Sequence, residues 1–305
     1  MRTLNDLQTY YMIYNLIREI PRYRLSRIAI ELGLSGRGQT KATASKYVTR
    51  LYTEEISLHP NLILKAHENC ITKAFFLKLR KPEDLTSAFL KLSNNPYISY
   101  MLLLSGIYDF FVTTRYELTF DKNLIIKKSS PMYDPIYTHP TGWNLKMNDA
   151  LKLFANKSCE RSRIERDVED FLPWDEIHFN IFDIMKHNMQ IPFSHVARET
   201  NLASNTVKKY FYKDILPYCN TAHYFFPKGY SHYHQSLIIV KSDCEKGLVN
   251  NLPKLPCTTY VFPLEKEIAL ILFHEGVQNV MFAMKKLEEK GFIKKHLLLV
   301  PLHWE

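Results

Sequence analysis

The chain has 305 residues, 46% of them hydrophobic and 23% charged, with a net charge of +9. That is an ordinary globular composition, long enough for two to four small domains. It argues against a membrane-spanning class, because no apolar run approaches the roughly 20 residues such a helix needs. Five scattered cysteines with no C-x-x-C spacing argue against a disulfide framework or a zinc ribbon.

The first expected helix runs from Asn5 to Glu19, with Leu7, Tyr11, Tyr14, Leu16 and Ile17 on one face, and Pro21 ends it. A short second helix spans Leu25 to Leu32. A third, from Lys41 to Glu54, buries Ala44, Tyr47, Val48 and Leu51 and presents Lys46 and Arg50. The pattern then recurs at an offset of 168: Leu25, Ser26, Ile28, Ala29 and Leu34 match Phe193, Ser194, Val196, Ala197 and Leu202. Small Ala29 and Ala197 fall where two helices must approach closely. Gly33 and Asn201 tolerate a left-handed turn. This is a helix-turn-helix signature, met twice. The first copy carries five extra residues before its third helix, around Gly36-Arg37-Gly38-Gln39-Thr40.

Between and after these motifs the pattern is β-α-β-β. Strands are expected over Ile71 to Leu79, Tyr97 to Leu104 and Asp109 to Tyr116, with a helix over Pro82 to Leu92. The second half repeats them as strand Gln235 to Lys241, helix Asp243 to Leu252, and strands Thr258 to Pro263 and Glu267 to Phe273. It continues with helix Glu275 to Lys290 and strand Phe292 to Pro301, completing a ferredoxin-like β-α-β-β-α-β unit. In the first half Pro131, Pro135, Pro140 and Gly142 make Thr119 to Trp143 irregular, so that unit reads as incomplete. Asn148 to Phe171 reads as a solvated helical linker of balanced charge. The expected fold is therefore α+β, with two winged helix-turn-helix domains each followed by a ferredoxin-like αβ domain. Their boundaries fall at 1–60, 61–145, 146–172 (the linker), 173–222 and 223–305.

The charge is uneven. Arg24 to Arg50 holds six basic residues against Glu31, and Lys186 to Lys213 holds five against Glu199, together equal to the whole excess. Two basic faces on two matching motifs favour a polyanionic partner. The candidate DNA-contacting residues are Arg37, Gln39, Lys41, Thr43, Ser45, Lys46 and Arg50 in the first copy. In the second they are Asn205, Thr206, Lys208, Lys209 and Lys213. Arg and Asn can read base edges, while Lys, Ser and Thr mostly hold phosphates.

The residues Ile28-Ala29-x-x-Leu32-Gly33-Leu34-Ser35, Lys46-Tyr47-Val48-x-Arg50-Leu51 and Ser105-Gly106-Ile107-Tyr108-Asp109 resemble the feast/famine, leucine-responsive (Lrp/AsnC) family of prokaryotic transcription regulators. Trp174-Asp175-Glu176-Ile177-His178-Phe179-Asn180-Ile181 is similar to the start of that family's first helix, here opening a second copy. Leu264-Glu265-Lys266-Glu267 stands where the second Gly-Tyr-Asp turn would be. The resemblance implies sequence-specific binding of double-stranded DNA and transcription regulation without enzymatic activity. It also implies self-association through the αβ domains, as an intramolecular pseudo-dimer or a homodimer. A small-molecule effector would sit near Gly106, Tyr108 and Asp109.

No cofactor and no metal are expected: His67-Glu68-Asn69-Cys70 lacks the second ligand pair a metal site needs. The N-terminus has no signal-peptide core, so a cytoplasmic location with no membrane contact is expected. Two rival readings remain open. Sirohaem decarboxylases, which resemble this family, act on a tetrapyrrole; such a site needs His and Arg converging to hold carboxylates, and His223, His232, His234 and Lys228 are the local candidates. An interaction scaffold is the other.

Overall fold

The computed structural model describes residues 4–34, 41–156 and 161–304. It is an α+β protein with antiparallel sheets. In the first half α1 (Leu4–Glu19), α2 (Leu25–Glu31) and α3 (Lys41–Thr53) pack around Tyr10, Ile13, Tyr14, Ile28, Ala44 and Leu51. Strands β1 (Asn61–Leu64) and β2 (Thr72–Leu79) follow, then α4 (Leu85–Ser93), β3 (Ile98–Ser105), β4 (Phe110–Thr114), β5 (Leu124–Met132) and the short β6 (Ile136–Tyr137). Helix α5 (Met147–Asn156) leads towards the second half. That half contains α6 (Glu176–Met185), α7 (Phe193–Glu199), α8 (Ser204–Tyr210) and β7 (Cys219–Ala222). It ends with β8 (His234–Lys241), α9 (Glu245–Asn251), β9 (Tyr260–Pro263), β10 (Ile268–His274), α10 (Val277–Glu289) and β11 (Lys295–Trp304).

The two helical repeats turn in the same way. Gly33 and Asn201 both have left-handed backbones, with φ of +67° and +55°. Leu34 N–H then bonds Ala29 O at 2.9 Å, and Leu202 N–H bonds Ala197 O at 3.0 Å. The strand that follows each repeat folds back on no hairpin of its own. Instead β1 pairs antiparallel with β7, tying the halves together.

One nine-stranded sheet carries the rest, in the order β5-β2-β4-β3-β11-β8-β10-β9-β6. Each half contributes a set of four strands in the chain order fourth, first, third, second, the sets join edge to edge where β3 pairs β11, and β6 adds the ninth strand beside β9. The outer ends also meet. Tyr133 N–H bonds Pro263 O at 2.9 Å, Met132 bridges Leu264, and Lys128 pairs with Glu267. The sheet thus closes on itself around Phe76, Leu102, Phe111, Leu237, Ile271 and Leu272. Every residue of β10 is buried. Both of its apolar faces pack within the same chain.

Two sequence-based expectations are corrected. The stretch expected to be irregular holds β5: Pro131 lies near the end of an outer strand, where a missing N–H is tolerated. The first half lacks only its second helix, because the nine residues 115–123 between β4 and β5 are too few for a counterpart of α10. Of the expected linker helix, α5 is described as far as Asn156, and Lys290 Nζ donates to the Ala155 carbonyl at 3.0 Å. Beyond it, residues 161–171 form a strap rather than a helix. Arg166 is the cause: its guanidinium makes two 2.9 Å bonds to the Glu245 carboxylate and donates to the Leu264 carbonyl at 2.6 Å. Helical geometry would pull it away from all three.

Candidate functional site

A cleft of about 330 Å³ opens where the second helical repeat faces the first half's strands. Its wall is largely phenolic: Tyr100 from β3, Tyr137 from β6, Tyr224 after β7, Tyr230, and Tyr260 from β9 with Phe262 beside it. The rings pack edge to face, with centroids 5.4 Å apart for Tyr137 and Tyr224 and 5.2 Å for Tyr137 and Tyr260. Burial pushes the Tyr100, Tyr224 and Tyr260 hydroxyls well above the ordinary tyrosine range, and Tyr230 up to about 12. At neutral pH all of them are protonated.

Two cations and a neutral imidazole enter this apolar cleft. Arg115 directly follows β4, a strand buried throughout, so its position is fixed from behind. Its guanidinium lies 5.3 Å from the centre of the Phe182 ring, and no carboxylate pairs with it among the described residues. Lys186 and His187 come from the end of α6, Lys186 being paired with Asp183 at 2.9 Å. Burial, reinforced by Lys186, lowers the His187 pKa, so this ring is neutral at pH 7. The acid on the wall, Asp134, is already used: its carboxylate accepts from Ala66 N–H at 2.6 Å and Asn220 Nδ2 at 2.9 Å. An unpaired guanidinium among phenols is suited to an anion with an aromatic body.

The residues singled out from sequence lie elsewhere. Lys41, Lys46 and Arg50 are exposed on α3, with Thr43 and Ser45 half-buried; Asn205, Lys208, Lys209 and Lys213 are exposed and Thr206 is half-buried. Arg37 and Gln39 lie outside the described residues. Gly106, Tyr108 and Asp109 do not line the cleft. Asp109 instead holds the β3–β4 hairpin to β2, pairing with Lys78 at 2.7 Å and accepting from Leu79 N–H at 2.7 Å, while Tyr108 packs on Phe76. Nor do the four rival candidates converge. Lys228 pairs with Glu275, His232 and His234 are exposed, and His223 is buried in a separate cluster. Among the described residues no group of three or more His, Cys, Asp or Glu is placed to hold a metal ion, and no helix is long and apolar enough to cross a membrane.

The separate cluster joins the first helical repeat to the second half. His223 Nε2 meets Ser57 Oγ at 2.8 Å, and His139 lies between the hydroxyls of Tyr11 and Tyr14 at 3.1 and 3.3 Å. Trp143 stacks on Tyr11 at 4.8 Å and fills the remaining space. The chain enters so tightly that a Cβ on Gly142 would lie 1.9 Å from the Lys254 carbonyl oxygen. Burial lowers the pKa of His223 to about 3 and of His139 to about 4, from 6.5. Because the unfolded chain binds these protons first, the stabilisation is complete above pH 6.5 and is lost as pH falls towards 4. Denaturant midpoints measured from pH 7 to 4.5 should drop, with a slope of up to about 1.4 kcal/mol per pH unit for each histidine. Replacing His223 by Gln should flatten that slope; an unchanged slope would mean that this ring is not held neutral.

No protein-family model matches the sequence, and no curated protein matches it. The solved structures that share its fold include the following two. One is described as the siroheme decarboxylase NirDL: TM-score 0.52, 11% identity, covering 98% of this chain and 92% of that one. The other is NirDL in complex with an iron-uroporphyrin III analogue: TM-score 0.50, 12% identity, with the same coverage. This corrects the expectation of a non-enzymatic, DNA-binding transcription regulator with double-stranded DNA as its partner. The solved structures sharing the architecture end to end are described as enzymes. In addition, the strands that would form two wings are paired with each other. What the chain shares with NirDL is its fold.

Proposed function

We propose that the chain binds a tetrapyrrole carboxylate in the Arg115 cleft and removes carboxyl groups from its side chains. On this reading each half is a helix-turn-helix domain followed by a ferredoxin-like unit, and the tandem serves to build one cleft between unlike walls. The observation that carries it is Arg115, an unpaired guanidinium held among tyrosines at a cleft formed by both halves. The likeness to NirDL over nearly the whole chain supports the choice of ligand. At about 330 Å³ the cleft is at the small end of ligand sites, so it accommodates one edge of a macrocycle, a pyrrole ring with its carboxylates. Aromatic walls cover the ring, and the cations meet the acid groups.

The residues divide the work by chemistry. Arg115 can grip a carboxylate through two parallel N–H bonds. Lys186 and His187, at the mouth, face a second acid group on the same edge. Excluding water from the held carboxylate favours loss of neutral CO2, since charge then spreads over the conjugated ring. Titrating iron uroporphyrin III into the protein should shift the tetrapyrrole absorption band with saturation, and mass spectrometry of incubated sirohaem should show stepwise loss of CO2. If neither tetrapyrrole binds at micromolar protein, the reading is wrong.

A further inference from the structure

The decarboxylation reading above leaves one requirement open: a proton must reach the carbon that loses its carboxyl group. Few groups in the cleft can give one. Arginine does not release a proton in proteins. Lys186 is tied to Asp183 at the mouth. Burial, reinforced by Lys186, lowers the His187 pKa and favours its neutral ring. Among the phenols, Tyr137 and Tyr224 interact with each other, and Tyr224 also bonds Asn61 at 3.0 Å. The Tyr230 hydroxyl accepts from Gln235 at 2.8 Å. Tyr100, Tyr133 and Tyr260 line the cleft with no hydrogen bond to their hydroxyls among the described residues.

Strand order and register distinguish Tyr100 from the others: Tyr133 follows β5, which β2 separates from β4. Tyr100 on β3 pairs directly with Thr113 on β4, and both line the cleft. Arg115 lies one residue past the end of β4 and lines the same cleft as Thr113. It therefore flanks Tyr100 across the β3–β4 pair, beside the register irregularity between Ile98 and Tyr100. A carboxylate gripped by Arg115 brings its own methylene carbon towards the Tyr100 hydroxyl. Tyr260 enters from β9, in the other half.

We propose that Tyr100 is the catalytic acid, delivering its hydroxyl proton to the methylene carbon from which Arg115-bound carboxylate departs. The bond between the methylene and carboxyl carbons breaks, and its electron pair moves onto the methylene carbon and into the ring. The phenolic O–H bond breaks, a C–H bond forms, and CO2 leaves. Overall a carboxymethyl group becomes a methyl group. The resulting phenolate recovers its proton from water, so nothing is oxidised or reduced and no further reactant is needed.

The test compares wild type, Tyr100→Phe and Tyr260→Phe, using iron uroporphyrin III as the binding probe and sirohaem as substrate. Phenylalanine keeps the ring and removes only the proton. General acids contribute about 10²–10⁴-fold, so Tyr100→Phe should lower kcat at least 100-fold while leaving Kd within about threefold. Tyr260→Phe, on the other wall of the same cleft, should lower kcat at least about tenfold less than Tyr100→Phe does. If Tyr100→Phe turns over near the wild-type rate, the proposal is overturned and the tetrapyrrole reading stands. If it loses binding in proportion to turnover, Tyr100 packs against the ligand and is not the acid. A wild type that neither binds nor decarboxylates brings down both the reading and the proposal.

Discussion

Replacing Arg115 by Met is expected to weaken tetrapyrrole binding about 10- to 100-fold and to abolish most turnover. A hydrogen bond to a charged group is worth about 1.5–3 kcal/mol, and each 1.4 kcal/mol is a factor of ten in affinity. The full value applies because Arg115 has no competing carboxylate and is backed by the buried strand β4. Methionine conserves the apolar contact with Phe182, so the fold should survive. Lys at this position should recover part of the affinity, since it restores charge without the planar fork. The paired substitutions Lys46→Ala with Arg50→Ala, and Lys208→Ala with Lys209→Ala, serve as controls. They remove exposed cations far from the cleft and should leave binding unchanged. If those controls weaken binding as much as Arg115→Met does, the attraction is general surface charge and the cleft is not the site.

The largest stability effect is expected at Arg166→Met. Glu245 is 1% exposed, and Arg166 supplies both of its charged hydrogen bonds. Removing the guanidinium leaves a buried carboxylate with one backbone donor, Ile164 N–H at 3.1 Å. Breaking a buried pair in this way costs about 3–5 kcal/mol. Total stability is typically about 5–15 kcal/mol, so the loss is a large share of it. Urea unfolding of the single variant should show a clear drop in midpoint, while Arg166→Met with Glu245→Leu should recover most of it. A single variant within about 1 kcal/mol of wild type would show that the strap does not depend on the pair.

The repeat and the strand order were legible because they are written in local signals. The left-handed residues Gly33 and Asn201, the small Ala29 and Ala197, and continuous apolar runs such as Ile268 to Phe273 each speak for their own segment. What escaped reading depends on distant partners. Residues 161–171 have helix-forming residues, but Arg166 is drawn to Glu245 on another element. Strand β5 carries a proline that only its outer position makes acceptable. The cleft is the extreme case, since its lining runs from Leu58 to Phe262. Arg115 lay at the end of an expected strand and showed nothing locally that marks an unpaired cation. The histidines near residue 230 looked more like a site because they are close in sequence, and sequence proximity proved the poorer guide. The basic charge of the two helical repeats is real, and it identified no partner.

The seam between β3 and β11 has a consequence for how this chain comes into being. Strand β3 is complete at Ser105, but the strand that pairs with it begins at Lys295. A ribosome adds about 5–20 residues per second. The edge of β3 therefore waits on the order of 10–40 s for its last neighbour. During that interval an unpaired strand edge with the sequence Met-Leu-Leu-Leu is open to any other nascent chain. Yield in a cell should thus depend on translation speed and on chaperone capacity more than the finished molecule's stability would suggest. Truncation within the final ten residues should leave the chain aggregation-prone, although every residue of the cleft is already present.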